Sequence, residues 1–306
     1  MTADMILPLL AAAVQTGTPI LYATLGEIVT ERSGILNLGV EGIMMVGALA
    51  AYVCALLSGN AWLGFIAGAG CGAVLAGIHG LVCIGFRGNQ VVSGLALTIL
   101  GTGLANFLGT PYIGQSIPGF QRFALPLIER IPIVGPIFFR QDMLVYLSYI
   151  APLLFWVVLS RTTWGLNLRA VGEVPEAVAA AGLSVISLRW SGVLVGGGLM
   201  GAGGAYISLA YTHLWTTGLV AGRGWIAVAL VIFAFWRPGR AVVGAYLFGG
   251  IMAFQFRLQA IGTHLPSSLL LMLPYVLTII VLVAASMHFR SQAAPAALGI
   301  NHEPPD

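Results

Sequence analysis

Charge-bearing and polar side chains recur at four-residue steps early in the chain: Glu27 and Glu31, then Asn37 and Glu41. Residues four apart share a helix face, and Arg32 is near enough to pair with a carboxylate. Acids spaced this way could hold a cation, pass a proton or bond a polar solute. They lie in GEIVTERSGILNLGVEG (26–42), where Gly34, Gly39 and Gly42 loosen any helix. A structural reading stays open beside the functional one: Asn37 and Glu41 cap or cross-link helices at the cytoplasmic rim. No bond-making set accompanies them. His79, His213, His264, His288 and His302 are scattered, and no H-E-x-x-H or Ser/His/Asp set stands out. Every basic residue is arginine, so a phosphate loop that needs lysine is impossible. Cys54, Cys71 and Cys83 sit in apolar segments without C-x-x-C and read as small fillers, not as metal ligands.

The elements that hold these residues must live in lipid. The chain is 58% hydrophobic and 8% charged, where a soluble domain carries about 25% charged residues. A net charge of +3 with no basic run argues against nucleic acid. The start, MTADMILPLL, lacks a basic n-region and carries Asp4, so it reads as a first span. Apolar stretches near ~20 residues can cross the bilayer. Nine are expected, at about 5–25, 42–58, 61–84, 91–109, 143–160, 190–211, 222–236, 241–259 and 267–287. The fold class is thus all-α: a polytopic transmembrane bundle of about nine spans. The seventh is short and flanked by Gly222, Gly224, Pro238 and Gly239. Such a broken or re-entrant helix is tolerated only inside protein or along a cavity.

Arginine placement orients the bundle. With the C-terminus cytoplasmic and the N-terminus outside, Arg32, Arg87, Arg161, Arg169, Arg189, Arg237, Arg240 and Arg290 lie inside. Arg122, Arg130, Arg140, Arg223 and Arg257 then lie outside. The proline-rich loop 110–142 becomes external and packs on the outer mouth. Residues 1–290 form one transmembrane domain, and 291–306 read as a disordered tail.

Gly64, Gly68, Gly72, Ala76 and Gly80 recur every four residues, as do Gly192, Gly196 and Gly204 with Gly197 and Gly201 beside them. These stripes predict close helix contact within the bundle. Asn106 is a polar residue in the fourth span. Tyr206, Tyr211, His213, Trp215 and Trp225 cluster near the outer ends of spans six and seven. They form either an interfacial belt or a stacking surface for a flat ring.

The longest polar interlude is 161–189. Within it, Pro175 to Gly182 (PEAVAAAG) reads as a short helix: Pro in the first turn, Glu at the positive end, Gly at the close. A short helix held between two spans can slot into a partner groove and pass on motion.

Glu176-Ala177-Val178-x-x-x-Gly182 resembles the E-A-A-x-x-x-G coupling loop of ABC importer permeases, with Val178 in place of a small residue. The 26–42 stretch, Ala170-Val171-Gly172-Glu173 before Pro175-Glu176-Ala177, and Gly222 to Leu230 followed by Arg237-Pro238 resemble one branch of that family. This is the nucleoside and simple-sugar branch, ribose-type and similar to branched-chain amino acid permeases. The resemblance covers roughly residues 15–285. Ribose-type members carry an additional N-terminal span, which this chain is expected to lack; the comparison then implies an external N-terminus.

The resemblance implies a non-enzymatic permease of the bacterial inner membrane with no cofactor of its own. ATP and Mg would be bound by a cytoplasmic ATPase, which would grip Glu173, Pro175, Glu176, Ala177 and Gly182. A second, non-identical permease and an external substrate-binding protein would complete the importer. Asn37, Glu41, Asn106, Tyr206 and Trp225 are the candidates for lining the path. A purine nucleoside is the expected solute, with a ribose-like sugar or riboflavin as alternatives. An ion-coupled secondary transporter would need an ion site at mid-membrane, whereas the acids here fall near the expected span ends. An intramembrane enzyme would need a clustered catalytic set. A channel would leave the coupling helix unexplained.

Overall fold

Ala3–Arg32 forms a single helix, α1, which runs well past the residue-25 limit expected from sequence. The expectation placed Glu27 and Glu31 in a polar link. Both are instead buried in the last turns of α1. The Glu27 carboxylate accepts the Asn37 backbone N–H, and Glu31 accepts the indole N–H of Trp236. These acids find protein partners, so they need not end the helix in water. A computed structural model of the chain describes residues 3–126, 128–262, 266–288 and 294–302.

The order continues with α2 (Val40–Ser58), α3 (Ala61–Gly80), α4 (Gln90–Gly109) and α5 (Val134–Phe138). Next come α6 (Met143–Arg161), α7 (Thr163–Glu173), α8 (Pro175–Ala180) and α9 (Val185–Tyr206). The chain ends its helices with α10 (Arg223–Ala234), α11 (Pro238–Ile261) and α12 (Ser267–His288). Side chains of Asn60, Asn89, Asp142, Thr162 and Ser184 cap the N-termini of α3, α4, α6, α7 and α9. Helices α3 and α9 each run on through a π turn, Leu81–Gly85 and Ile207–Tyr211. A two-stranded antiparallel ribbon, β1 (Phe123–Ala124) with β2 (Arg140–Gln141), lies between α4 and α6. Among the described residues, seven helical stretches are long and apolar enough to cross a membrane. Two further apolar helices, Arg223–Ala234 and Ser268–Val281, are shorter.

Helices α1, α2, α3 and α9 pack together, with α11 on the far side of α1. The glycine stripes make this possible, as the sequence predicts. A Cβ on Gly72 would lie 2.6 Å from Gly201 Cα, and one on Gly47 would meet the same atom at 2.6 Å. Only backbone stands there, so nothing can swing away. Gly201→Val is expected to cost about 1–3 kcal/mol or more by overpacking. A lowered unfolding midpoint of the detergent-purified protein would register it; an unchanged midpoint would contradict this packing.

The 110–142 segment packs on the bundle. Ile117, Phe120 and Ile137 are buried, and Arg122 donates to Gln15 on α1 at 2.7 Å. The 291–306 segment was expected to be a disordered tail. Its described part, 294–302, is docked instead. Ala297 N donates to Gly172 O (2.9 Å) and Gly299 N to Gly34 O (3.1 Å). Asn301 donates to Arg87 O at 2.6 Å. The polar chain ends of three links supply these partners, which hydropathy does not reveal.

Candidate functional site

Between α1 and α2 the backbone is non-helical over 33–39 and is nevertheless enclosed. Backbone polar groups there must find side-chain partners. Leu36 N donates to Gln90 Oε1 (2.8 Å), and Leu36 O accepts from His79 Nε2 (3.0 Å). Leu38 O accepts from Thr98 Oγ1 (2.8 Å). Asn37 N reaches Glu27 Oε1 (3.2 Å), and Gly39 N reaches Asn37 Oδ1 (2.8 Å). Side chains of α1, α3 and α4 thus hold a break in the bundle.

A second break adjoins the first. Helix α10 has twelve residues, about 18 Å at ~1.5 Å per residue, well short of a ~30 Å core. Its start is fixed by Glu41 of α2. Oε1 accepts Gly222 N (2.8 Å) and Oε2 accepts Gly224 N (2.7 Å). A carboxylate is the favoured occupant of a helix N-terminus. Gly224 is required there, because a Cβ would strike the Glu41 backbone at 2.5 Å. The other end is fixed by α1. Trp236 gives its indole N–H to Glu31, and its carbonyl accepts from Arg32 Nε (3.4 Å) and Nη2 (3.3 Å). Phe235 and Trp236 both carry positive φ, 52° and 53°. Two successive left-handed non-glycine residues are costly and persist only where surroundings impose them. Here the two bonded groups of α1 do so.

The residues expected to line a path fall into different settings. Asn37 is fully buried, and its side chain bonds Gly39. Glu41 is the α2–α10 clamp, so the cross-linking reading describes its contacts. Asn106 accepts from Gly218 N at 3.1 Å and ties α4 to the loop before α10. Tyr206 is fully buried, its hydroxyl 3.5 Å from Asp142 Oδ2. Burial pushes the Asp142 carboxyl up, while the Val145 and Leu144 N–H groups oppose that shift. Trp225 remains 38% exposed, beside the clamped Gly224. Trp215 is fully buried, so it and Tyr206 form no interfacial belt. Arg223, assigned to an outer rim by the arginine pattern, is 3% exposed. It folds back on the carbonyls of Leu219 and Val220.

The polar interlude forms a separate surface. Pro175 and Val178 of α8 are buried, and Val178 packs in a small core with Val171 and Val185. Glu173, Glu176, Ala177 and Gly182 face outward. Gly182 carries φ +78° and closes the turn after α8. Glu173 also lies 3.9 Å from Arg32 and accepts from Ala296 N at 3.2 Å.

Residues 9–282 match the family described as branched-chain amino acid transport system / permease component. The chain belongs to that family. It is an ABC importer permease and a multi-pass membrane protein built on apolar helices. The permease is 44% identical over 261 residues to the putative glucose ABC transporter permease protein TsgC13 of Haloferax volcanii, spanning 84% of this chain and 79% of that one. It is 35% identical over 302 residues to the nucleoside ABC transporter permease protein NupC of Lactococcus lactis, covering 93% of each. It is 33% identical over 301 residues to the guanosine ABC transporter permease protein NupQ of Bacillus subtilis, covering 92% of each.

Sequence reasoning missed Gln90, His79 and Thr98 as partners of the permease's broken backbone, and Trp236 as the partner of Glu31. His79 looked isolated because its partners lie far off in sequence. The usable signal was the run of glycines and polar residues at 26–42, which marks a break that something must satisfy.

Proposed function

We propose that this permease carries a purine nucleoside inward across a bacterial cytoplasmic membrane. It pairs with a non-identical second permease, receives solute from an external binding protein and is driven by a cytoplasmic ATPase that grips α8. The observation that carries the choice of solute is Glu41 at the start of α10. Broken helices in transporters often aim their N-termini at an anionic substrate group. Here that position already holds a carboxylate, bonded through both oxygens. An anionic solute is disfavoured there and a neutral one is not. Two relatives with nucleoside or guanosine in their names, each matched over more than nine-tenths of its length, support the same reading.

The spans number nine when α10 and α12 are counted with the seven long helices. Arg32, Arg169, Arg237 and Arg240 line one cavity at one end of the bundle. Arg161 stacks on Trp156 of its wall, and Arg189 and Arg87 adjoin the links at that end. That end is cytoplasmic by the arginine rule, which puts α8 inside and the N-terminus outside.

A neutral hexose is the second reading, favoured by the 44% identity to a putative glucose permease. Trp225 separates the two. Base stacking on an aromatic ring is worth ~1–3 kcal/mol, so Trp225→Ala is expected to lower purine nucleoside uptake roughly ten-fold and glucose uptake little. Radiolabelled uptake of guanosine and glucose by cells with the whole importer measures both. Equal losses would remove the stacking role; uptake of glucose alone would replace the nucleoside.

A further inference from the structure

We infer that the seam between α6 and α11 is a binding site for one anionic phospholipid of the cytoplasmic leaflet. Its headgroup end is a cavity of about 490 Å³ lined by Arg32, Arg169, Arg237, Arg240, Trp156 and Trp236. Four guanidinium groups surround it. Glu173 lies 3.9 Å from Arg32 and is half exposed. Glu31 is buried behind the lining and accepts the indole N–H of Trp236. Among the described residues, neither Arg169 nor Arg237 forms an ion pair. A basic pocket between spans on the cytoplasmic side is the expected seat of an acidic headgroup.

The same two helices line a second, apolar cavity further along their length. This cavity, about 310 Å³, is lined by Tyr149 and Pro152 of α6, by Val242 and Tyr246 of α11, and by Phe138 and Phe139. On α6 the contributing residues step as Tyr149, Pro152, Trp156 and Ser160, and on α11 as Gly239, Val242 and Tyr246. Steps of three and four keep each set on one helix face. From Tyr149 to Ser160 the rise is about 16 Å. That is close to half of the ~30 Å hydrocarbon core, the depth of one leaflet. The neighbouring face of α6 is exposed and apolar, with Ile150, Leu153 and Val157 open to the surroundings. Trp156 at the cavity edge is 45% exposed, the placement of an interfacial tryptophan. A cationic head end, a second, apolar cavity about one leaflet away along the same seam and an exposed apolar flank fit a phospholipid. A soluble acidic protein would find no use for the apolar cavity. The site rests on the chain spanning a membrane in the orientation proposed above, and on neither the solute nor the action of α8.

Native mass spectrometry of the detergent-purified permease, loaded with phosphatidylglycerol or phosphatidylcholine, tests it. One phosphatidylglycerol per chain is expected to be retained, with phosphatidylcholine at least ten-fold weaker. Arg169→Gln with Arg237→Gln should abolish that preference. Val242→Trp, which fills the apolar cavity and leaves every arginine, should weaken retention about ten-fold. Excess inorganic phosphate should fail to displace the lipid. Retention unchanged in both variants would overturn the site. Displacement by phosphate, with Val242→Trp silent, would replace it with a free-anion site. Occlusion of the seam by a second copy or by the ATPase in the purified importer, with no lipid bound, would overturn it as well. Variants are compared only where they elute as the parent protein does, and Val242→Trp keeps the question open to an answer if the double variant misfolds.

Discussion

Glu176→Arg is expected to abolish uptake, by more than a hundred-fold, while the protein stays in the membrane at its usual level. Glu176 stands on the outward face of α8. The inward face, Pro175 and Val178, is buried, with Val178 packed on Val171 and Val185. A surface substitution changes stability by less than about 0.5 kcal/mol; charge reversal also removes an electrostatic partner of the buried Arg189, so folding should survive with a modest loss. What changes is the charge offered to the ATPase. A like-charge contact in a docking groove costs several kcal/mol. The ATPase should then turn over without responding to solute, or fail to assemble. Uptake assays beside ATPase assays in proteoliposomes separate these outcomes. Transport at the parent rate would remove α8 from the drive train.

Glu41→Ala is expected to have the second large effect, and a different one. It strips two charge-assisted bonds from the start of α10. Each such bond is worth about 1.5–3 kcal/mol, so the loss is roughly 3–6 kcal/mol. The Gly222 and Gly224 N–H groups would be left without their acceptor in a half-buried setting. Helix α10 should loosen at that end while Glu31, Arg32 and Trp236 still hold the other. The purified protein should unfold at a distinctly lower temperature, and uptake should fall with it. Glu41→Gln should recover part of the stability, since one carbonyl oxygen can still accept. A thermal midpoint equal to the parent's in Glu41→Ala would show that the clamp is not needed.

These two residues illustrate what could be read from the chain. The α8 surface was legible because its instructions are local. Proline opens it, glycine closes it, and its polarity contrasts with the spans on both sides. The α3 and α9 contacts were legible for a similar reason: small residues every four positions define a face without reference to distant partners. The family resemblance over the 26–42 and 170–182 stretches agrees with the matched family. Glu27, Glu31 and Arg223 were misplaced because a hydropathy pattern assigns charge to water. Their partners, Asn37, Trp236 and the Leu219 and Val220 carbonyls, satisfy them inside the bundle. The Asn37 and Trp236 contacts join elements across breaks in the helices, and no periodicity announces them. Residues 294–302 were misjudged on the same ground, since backbone groups of Gly34, Gly172 and Arg87 provide their anchorage.

The account stands on α8 being a handle held by the ATPase on the cytoplasmic side. A photo-crosslinking amino acid at position 177, on the outward face of α8, tests it in membranes that contain the assembled importer. A crosslink to the ATPase subunit, which strengthens or weakens as nucleotide is added, is the predicted result. Labelling of the same position by a membrane-impermeant reagent added from outside intact cells, with no ATPase adduct, would contradict it.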